Sequence, residues 1–298
     1  MCMLGHQSNI ETKSTQICSL SVTQRACPCP WFKTCVLHPK ACLIHSPYNS
    51  ALSATMNKTV LTVITLVIGF SGSAFADTCR PAVDPNRPQM VIGYGSLMQT
   101  ASKQRTAPNT TANRPVLVTG YQRSWNAKGS PVGYSTTYLG VKAVEGARMN
   151  AAIYEYLNTD EIAATDQREG AYCRRSVPLD QVTMLDGGNL AEDAQIWIYE
   201  TKPQSTAFPS EKWPIVQSYV DIFISGCLEL EQAVVTDDLG DMSFSEACVA
   251  MTSDWSPDWI NDRIHPRRPF AQQPNAGRID RLLHAQIPAQ FNAIRLEK

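Results

Sequence analysis

Short apolar runs separated by turn residues recur along the chain from about residue 90 onward. The first, Met-Val-Ile at residues 90 to 92, stops at Gly93-Tyr94-Gly95. A run of this length that ends at two glycines predicts a buried strand opening into a tight loop. Glycine enters the φ > 0 region freely and lets a ligand approach main-chain N–H groups closely, so the loop suits a carboxylate or an oxyanion. The alternative interpretation is a strand end with a sharp turn and no ligand.

Further patterns of the same kind predict a fold with many short strands and a few helices. Strands are expected at residues 116 to 125, with a bulge at Gly120, and at 133 to 141, 149 to 157, 173 to 179, 182 to 185 and 194 to 199. Helices are expected at about 159 to 169, beyond Pro209 with Trp213, Val216 and Val220 on one face, and at 243 to 252. The last begins with a capping-box pattern, Ser243 followed by Glu246. This mixture predicts an α+β fold.

The first 76 residues differ in composition from the rest. Residues 1–55 hold six of the ten cysteines and three of the five histidines, which makes a zinc module one interpretation, although the ligand spacing is not that of known zinc sites. Residues 56–76 begin Met-Asn-Lys, continue with an apolar run and end Ala-Phe-Ala, which is the pattern of a signal peptide. We therefore predict that residues 1–55 come from an overextended start, that 56–76 is a signal peptide rather than an uncleaved anchor, and that the mature protein spans 77–298.

The mature segment is acidic and keeps an even number of cysteines. It has 21 Lys and Arg against 26 Asp and Glu, a net charge of −5, so nucleic acid is not an expected partner. Its four cysteines, at positions 79, 173, 227 and 248, allow two disulfides in three pairings, or are simply small buried residues. The signal peptide predicts a secreted or periplasmic protein, bacterial in type, without stable membrane association after cleavage.

A second element combines a carboxylate with a helix end. Residues 165 to 177 carry Asp166 and then Glu169 directly before Gly170, and a strand-like run follows. A glycine at this place stops a helix, so the carboxylate of Glu169 is held at a defined point. Without the glycine loop, a solvated side chain at a helix end would be the default interpretation of Glu169.

Together these elements resemble the γ-glutamylcyclotransferase-like family over about residues 88 to 235. The matching motifs are Tyr-Gly-Ser-Leu at 94 to 97, the Asp-x-x-Glu-Gly-x-Tyr-x-Arg pattern from Asp166 to Arg174 with Thr165 where leucine is usual, and Pro209, Tyr219 and Gly226. The resemblance implies a small mixed β-barrel with surrounding helices, and we interpret the chain as a bacterial exported member with a C-terminal extension.

The resemblance also implies a chemistry. Family members convert γ-glutamyl amines or peptides to 5-oxoproline and release the amine or amino acid, without a metal or another cofactor. By resemblance, Glu169 is the general acid/base, the loop Tyr94, Gly95, Ser96 and Leu97 binds the γ-glutamyl group, and Tyr219 adds a hydroxyl contact. A non-catalytic binding module on the same fold and another acyl-group transfer on γ-glutamyl-like substrates are the alternatives. A serine-hydrolase site is not expected, because Met98 stands where the Gly-x-Ser-x-Gly motif requires glycine.

The segment 250–298 lies beyond the resemblance. It is rich in tryptophan and arginine, including Trp255, Trp259, Arg267 and Arg268. We interpret it as an arm that wraps the domain and buries its tryptophans. The alternative is a recognition lip over the pocket, with arginines gripping a substrate carboxylate. No motif identifies the leaving group of the substrate or the oligomeric state.

Overall fold

The central element of the fold is a long antiparallel pair of strands. In the computed structural model, which describes residues 79–129, 135–268 and 274–297, β2 (Arg114–Gly129) pairs with β3 (Thr136–Tyr156) over almost its full length. The register shifts at Thr119/Tyr121 and at Trp125/Ala127. Such bulges bend and twist a strand pair. Gly120 lies at the first shift with φ +79°, which confirms the predicted bulge.

Seven strands form one mixed sheet around this pair. The order is β4-β6-β1-β3-β2-β5, with β8 (Thr252–Ser253) also pairing with β2. The remaining strands of the sheet are β1 (Gln89–Gly93), β4 (Tyr172–Val177), β5 (Val182–Met184) and β6 (Gln195–Thr201). Within the described ranges the sheet ends at β4 and β5, so it curls into a half-barrel rather than a closed barrel. The predicted α+β class with a mixed sheet is confirmed.

Both faces of the sheet are buried, as the alternation of side chains predicts. Ile153, Ile196 and Ile198 belong to one hydrophobic cluster, whereas Tyr154 and Trp197 belong to a second cluster on the opposite face. The larger cluster is covered by helices α3 (Gln217–Leu230), α4 (Phe244–Ala250) and α5 (Ala276–Gln286). The other described helices are α1 (Thr100–Gln104), α2 (Asp160–Arg168) and α6 (Pro288–Phe291). No described helix is long and apolar enough to cross a bilayer.

Two sequence predictions of secondary structure were wrong. The strands expected at 133 to 141 and 149 to 157 are parts of the single strand β3, which pairs with β2 as far as Ala143 and again from Arg148 onward. Trp213 and Val216 precede α3 instead of belonging to it, and Val216 lies in β7 (Ile215–Val216). The capping box of α4 is confirmed, since both of its hydrogen bonds, Glu246 N to Ser243 Oγ and Ser243 N to the Glu246 carboxylate, are present.

The C-terminal segment packs against the domain. β9 (Trp259–Asn261) lies between β7 and β10 (Arg295–Leu296) in a second, parallel sheet. Trp259 is fully buried, and its ring stacks on that of Trp255 with centroids 5.3 Å apart. The boundaries proposed for residues 1–55 and 56–76 fall outside the described residues, and the division of the chain into these segments stays a prediction.

The four cysteines of the mature segment form two disulfides. Cys79 is bonded to Cys173, and Cys227 is bonded to Cys248. The first links the described N-terminal end to β4, and the second links α3 to α4. The structure therefore selects one of the three pairings that the sequence left open.

Candidate active site

The turn after β1 is built on close packing of main chain. It passes through Tyr94 and Gly95 into a 3-10 turn at Ser96–Met98. A Cβ on Gly93 would lie 2.9 Å from Leu97 Cβ, and a Cβ on Gly95 would lie 2.8 Å from the Tyr219 hydroxyl oxygen. Neither glycine has a positive φ; that of Gly95 is −138°. The sequence-based reason for these glycines was therefore incomplete, because close approach, and not φ > 0, requires them.

Helix α3 lies directly against this turn. A Cβ on Gly226 would lie 2.5 Å from the main-chain nitrogen of Gln99 and 2.6 Å from the carbonyl carbon of Met98. Gly226 follows Tyr219 by seven residues, which is about two helical turns, so both lie on the same face of α3. The glycine therefore lets the helix approach closely enough for Tyr219 to reach Gly95.

Glu169 is the residue at which α2 ends. Its N–H donates to the Thr165 carbonyl at 2.8 Å, and its own carbonyl accepts from Tyr172 N at 3.0 Å and from Arg80 Nη2 at 3.1 Å. The side chain is 14% exposed. Burial raises the pKa of the Glu169 carboxyl above its ordinary value, while Arg168, Arg268 and Arg80 oppose the rise. A carboxyl group of this kind exchanges a proton nearer to neutral pH than an exposed glutamate does.

One cavity of about 310 Å³ brings these parts together. All six residues that the sequence singled out line it, although they come from the end of β1, the end of α2 and the first turn of α3: Tyr94, Gly95, Ser96, Leu97, Glu169 and Tyr219. The roles assigned to them by resemblance stay predictions. The two histidines of the mature segment, His265 and His284, are not among the lining residues.

Arg168 connects the carboxylate to the turn, and no role was predicted for it from the sequence. Its Nε lies 3.1 Å from Glu169 Oε1, and its Nη2 donates to Ser96 Oγ at 3.0 Å. Nη1 donates to the Ser102 carbonyl at 2.9 Å, which joins α2 to α1. The guanidinium therefore holds the Glu169 carboxylate and the Ser96 hydroxyl at a fixed separation. Its position directly before Glu169 in the quoted motif was the only signal available in the sequence.

Tyrosines form much of the cavity wall. The lining tyrosines are Tyr94, Tyr138, Tyr172, Tyr199 and Tyr219. The Tyr94 hydroxyl donates to the Tyr199 carbonyl, and the Tyr172 hydroxyl donates to the Leu139 carbonyl at 3.0 Å. Burial raises the pKa of both phenols, so they stay neutral and keep their protons as hydrogen-bond donors.

Three further lining residues were not predicted as site residues. Lys128 lies near the end of β2, Tyr138 lies near the start of β3, and Arg268 comes from the C-terminal segment. Arginines of that segment were expected at the cavity only if the segment formed a recognition lip, the alternative to a wrapping arm. Nothing in the local sequence indicates which of the arginines at 263, 267 and 268 reaches the cavity, because the answer depends on how the segment packs on α3.

The cavity has the architecture of a small-molecule site. It is lined by tyrosines, contains one desolvated carboxyl group and lies where a strand end and two helix ends meet on the half-barrel. Residues 91–214 match the model of the family described as gamma-glutamyl cyclotransferase, AIG2-like. This match confirms the resemblance to the γ-glutamylcyclotransferase-like family that was seen in the sequence. The family supports a cyclotransferase type of function.

Comparisons with individual proteins are weaker. None of the curated protein sequences matches the chain. A solved gamma-glutamyl cyclotransferase is 13% identical, with 52% of this chain and 93% of that chain covered and a TM-score of 0.39. A yeast gamma-glutamyl cyclotransferase specific to glutathione is 12% identical, with coverages of 53% and 89% and a TM-score of 0.33. An uncharacterized protein from Homo sapiens is 15% identical, with coverages of 51% and 90% and a TM-score of 0.38. Similarities this low support no inference about chemistry.

Proposed function

We propose that the protein is a cyclotransferase that converts a γ-glutamyl compound to 5-oxoproline and a free amine. The observation that carries the proposal is the meeting of the Glu169 carboxyl group and the Tyr94–Leu97 turn on one cavity of about 310 Å³. A volume of this size accommodates a small ligand. The family match over residues 91–214 supports the same type of reaction.

The reaction is intramolecular in the substrate. The α-amino nitrogen attacks the γ-carbonyl carbon, a new C–N bond closes the five-membered ring, and the bond from that carbon to the leaving nitrogen breaks. One proton must leave the attacking nitrogen, and one must reach the leaving nitrogen. Glu169 takes the first and returns it in the second step, which its raised pKa favours. Main-chain N–H groups of the 94 to 97 turn bind the γ-glutamyl group and stabilise the oxyanion.

The cavity wall supports this assignment in two further ways. The ion pair with Arg168 holds the Glu169 carboxylate beside the Ser96 hydroxyl, so the base and the binding turn keep a fixed distance. Tyr219 packs on Gly95, so its hydroxyl group lies beside the turn that binds the γ-glutamyl group. Holding the amine and the carbonyl of one molecule in the attack geometry is itself a large source of rate enhancement.

The test is to incubate the protein with a set of γ-glutamyl amines and peptides and to measure 5-oxoproline. We expect turnover in the wild type and a loss of at least about 100-fold in kcat for Glu169→Gln, the usual contribution of a general acid/base. Ligand affinity measured by calorimetry should be retained in that variant. Glu145→Gln, at an exposed position of β3, is the matched control and should behave as wild type.

Two outcomes would contradict the proposal. Undiminished turnover of Glu169→Gln would remove this residue from the mechanism. Binding of γ-glutamyl compounds by the wild type without any 5-oxoproline would favour the non-catalytic binding module instead.

We further propose that the protein is exported. Support comes from the signal-peptide pattern at 56–76 and from the two disulfides, which form and persist mainly in oxidising compartments. N-terminal sequencing of the protein recovered outside the cytoplasm should place the mature end at Asp77. A mature end upstream of residue 56 would contradict both the export signal and the assigned start.

A further inference from the structure

The wall of the cavity carries more cationic than acidic side chains. Among the lining residues, Lys128, Arg168 and Arg268 are cationic and Glu169 is acidic. Arg168 forms its ion pair with Glu169. Lys128 and Arg268 are the other two cationic side chains among the lining residues, against the single carboxylate of Glu169. Such a wall favours a substrate with more than one negative group.

Arg268 lies beside the aromatic side of the cavity. Its guanidinium carbon is 5.4 Å from the centroid of the Tyr138 ring and 6.0 Å from that of Tyr219, and its Nη1 is 3.3 Å from the Tyr138 hydroxyl. Arg268 is also close enough to Glu169 to oppose the rise of its pKa. A guanidinium has five N–H donors in a planar fork that matches a carboxylate.

A buried carboxylate holds Arg268 in this place. Asp262, which is 1% exposed, accepts hydrogen bonds from Ser218 N at 2.7 Å, Ser218 Oγ at 2.6 Å and Arg267 N at 2.7 Å. Arg268 N lies 3.3 Å from the same Ser218 Oγ. Because Ser218 directly precedes Tyr219 in α3, one network fixes Tyr219 and Arg268 relative to each other. Arg268 lies outside the range matched by the family model, residues 91–214, so the family match assigns it no role.

We propose that Arg268 binds a carboxylate on the leaving amine and so selects γ-glutamyl amino acids or peptides over γ-glutamyl amines that lack this group. The inference rests on the proposed cyclotransferase function. In that function the 94 to 97 turn takes the γ-glutamyl half of the substrate. Arg268, whose Nη1 donates a hydrogen bond to the Tyr138 hydroxyl, then contacts the leaving amine of the substrate. A site built to bond a charged group discriminates strongly against an analogue without it.

Two substrates that differ only in the carboxylate provide the test: γ-glutamylalanine and γ-glutamylethylamine. We expect the wild type to have a clearly higher kcat/KM for γ-glutamylalanine. In Arg268→Met the KM for γ-glutamylalanine should rise at least about tenfold, equivalent to about 1.4 kcal/mol, with kcat nearly unchanged. The kinetics with γ-glutamylethylamine should stay close to those of the wild type.

Two other variants distinguish recognition of the substrate carboxylate by Arg268 from a general effect of positive charge and from an effect on folding. Arg268→Lys keeps the charge but loses the fork, so it should recover part of the selectivity. Arg278→Met removes one positive charge from an exposed arginine of α5 that pairs with Glu231 away from the cavity, and it should leave the selectivity unchanged. Thermal unfolding of each variant shows whether it is folded.

The inference would be overturned by an equal loss for both substrates in Arg268→Met and Arg268→Lys, or by a wild type without preference for γ-glutamylalanine. If the wild type turns over neither substrate, the proposed function fails separately. Calorimetric affinities of the two compounds then decide the inference: tighter binding of γ-glutamylalanine that depends on Arg268 supports carboxylate recognition, and equal affinities overturn it.

Discussion

The contact between Gly95 and the Tyr219 hydroxyl predicts that substitutions at these two positions are strongly coupled. A Cβ on Gly95 would lie 2.8 Å from Tyr219 Oη, whereas the next atoms, both of Leu139, lie at 3.5 and 3.7 Å. The last two distances are ordinary contacts, but the first is too short for a carbon and an oxygen. Steric strain in Gly95→Ala therefore arises from a single hydroxyl oxygen.

The size of the coupling follows from this contact. Overpacking of a buried site costs about 1–3 kcal/mol, which is the loss expected for Gly95→Ala. Tyr219→Phe removes a hydroxyl that hydrogen-bonds the main chain at Leu139, at a cost of about 1 kcal/mol. If the two changes were independent, the double variant would lose both amounts. Because the phenylalanine ring lacks the clashing oxygen, we expect the double variant to lose only about 1 kcal/mol, which is a coupling of about 1–3 kcal/mol.

The assay is denaturant unfolding of the wild type, the two single variants and the double variant, with the free energy of unfolding compared at a common m-value. Gly170→Ala is the matched control, since the nearest atom to its added Cβ is 3.6 Å away, and it should change the stability little. Losses that add within about 0.5 kcal/mol would refute the reasoning, because they would show that the alanine methyl group is accommodated without displacing Tyr219.

Burial raises the pKa of Glu169 in the folded state above its pKa in the unfolded state. The ionised carboxylate therefore lowers the stability of the fold at pH values above the folded-state pKa, and this loss of stability is absent at pH values below the unfolded-state pKa. Glu169→Gln should therefore raise Tm at pH 8 but not near pH 4, and a lower Tm at pH 8 would contradict this. Replacing Cys79 and Cys173 by alanine should lower the unfolding free energy by roughly 4–5 kcal/mol, and replacing Cys227 and Cys248 should lower it by roughly 3 kcal/mol. The difference arises because the two disulfides close loops of 94 and 21 residues. Calorimetry that shows the reverse order would refute this argument from loop length. Arg123→Lys should cost at least about 2 kcal/mol in denaturant unfolding, because the fully buried guanidinium bonds both the carbonyl and the side chain of Asn150, and unchanged stability would show that these acceptors find other donors.

Local patterns in the sequence determined the elements that carry the site. The apolar run before Gly93 predicted β1 and its turn, and the glycine after Glu169 predicted the end of α2. The run from 194 to 199 predicted β6, and the alternation of side chains along a strand places Ile196 and Ile198 on one face of the sheet and Trp197 on the other. Strand and helix periodicities and turn residues act over a few positions, so the sequence alone can reveal them.

Main-chain pairing between distant segments decided where these patterns failed. Lys142 and Ala143 lie between two separately predicted strands, but they continue β3 because they pair with Gln122 and Tyr121 of β2. The pairing of Cys79 with Cys173 likewise depends on how the chain that precedes β1 lies against β4. Neither arrangement leaves a trace in nearby residues.

The sequence by itself predicted the fold class, the family resemblance and the six residues assigned to the site. Only the tertiary structure decided that those six residues line one cavity, that Arg168 ties Glu169 to Ser96, and that Arg268 joins them from the C-terminal segment. It also showed that Gly95 is required by the approach of Tyr219. The reason is physical: a cavity is defined by close packing among side chains that are far apart in the chain, and short-range sequence patterns do not specify that packing.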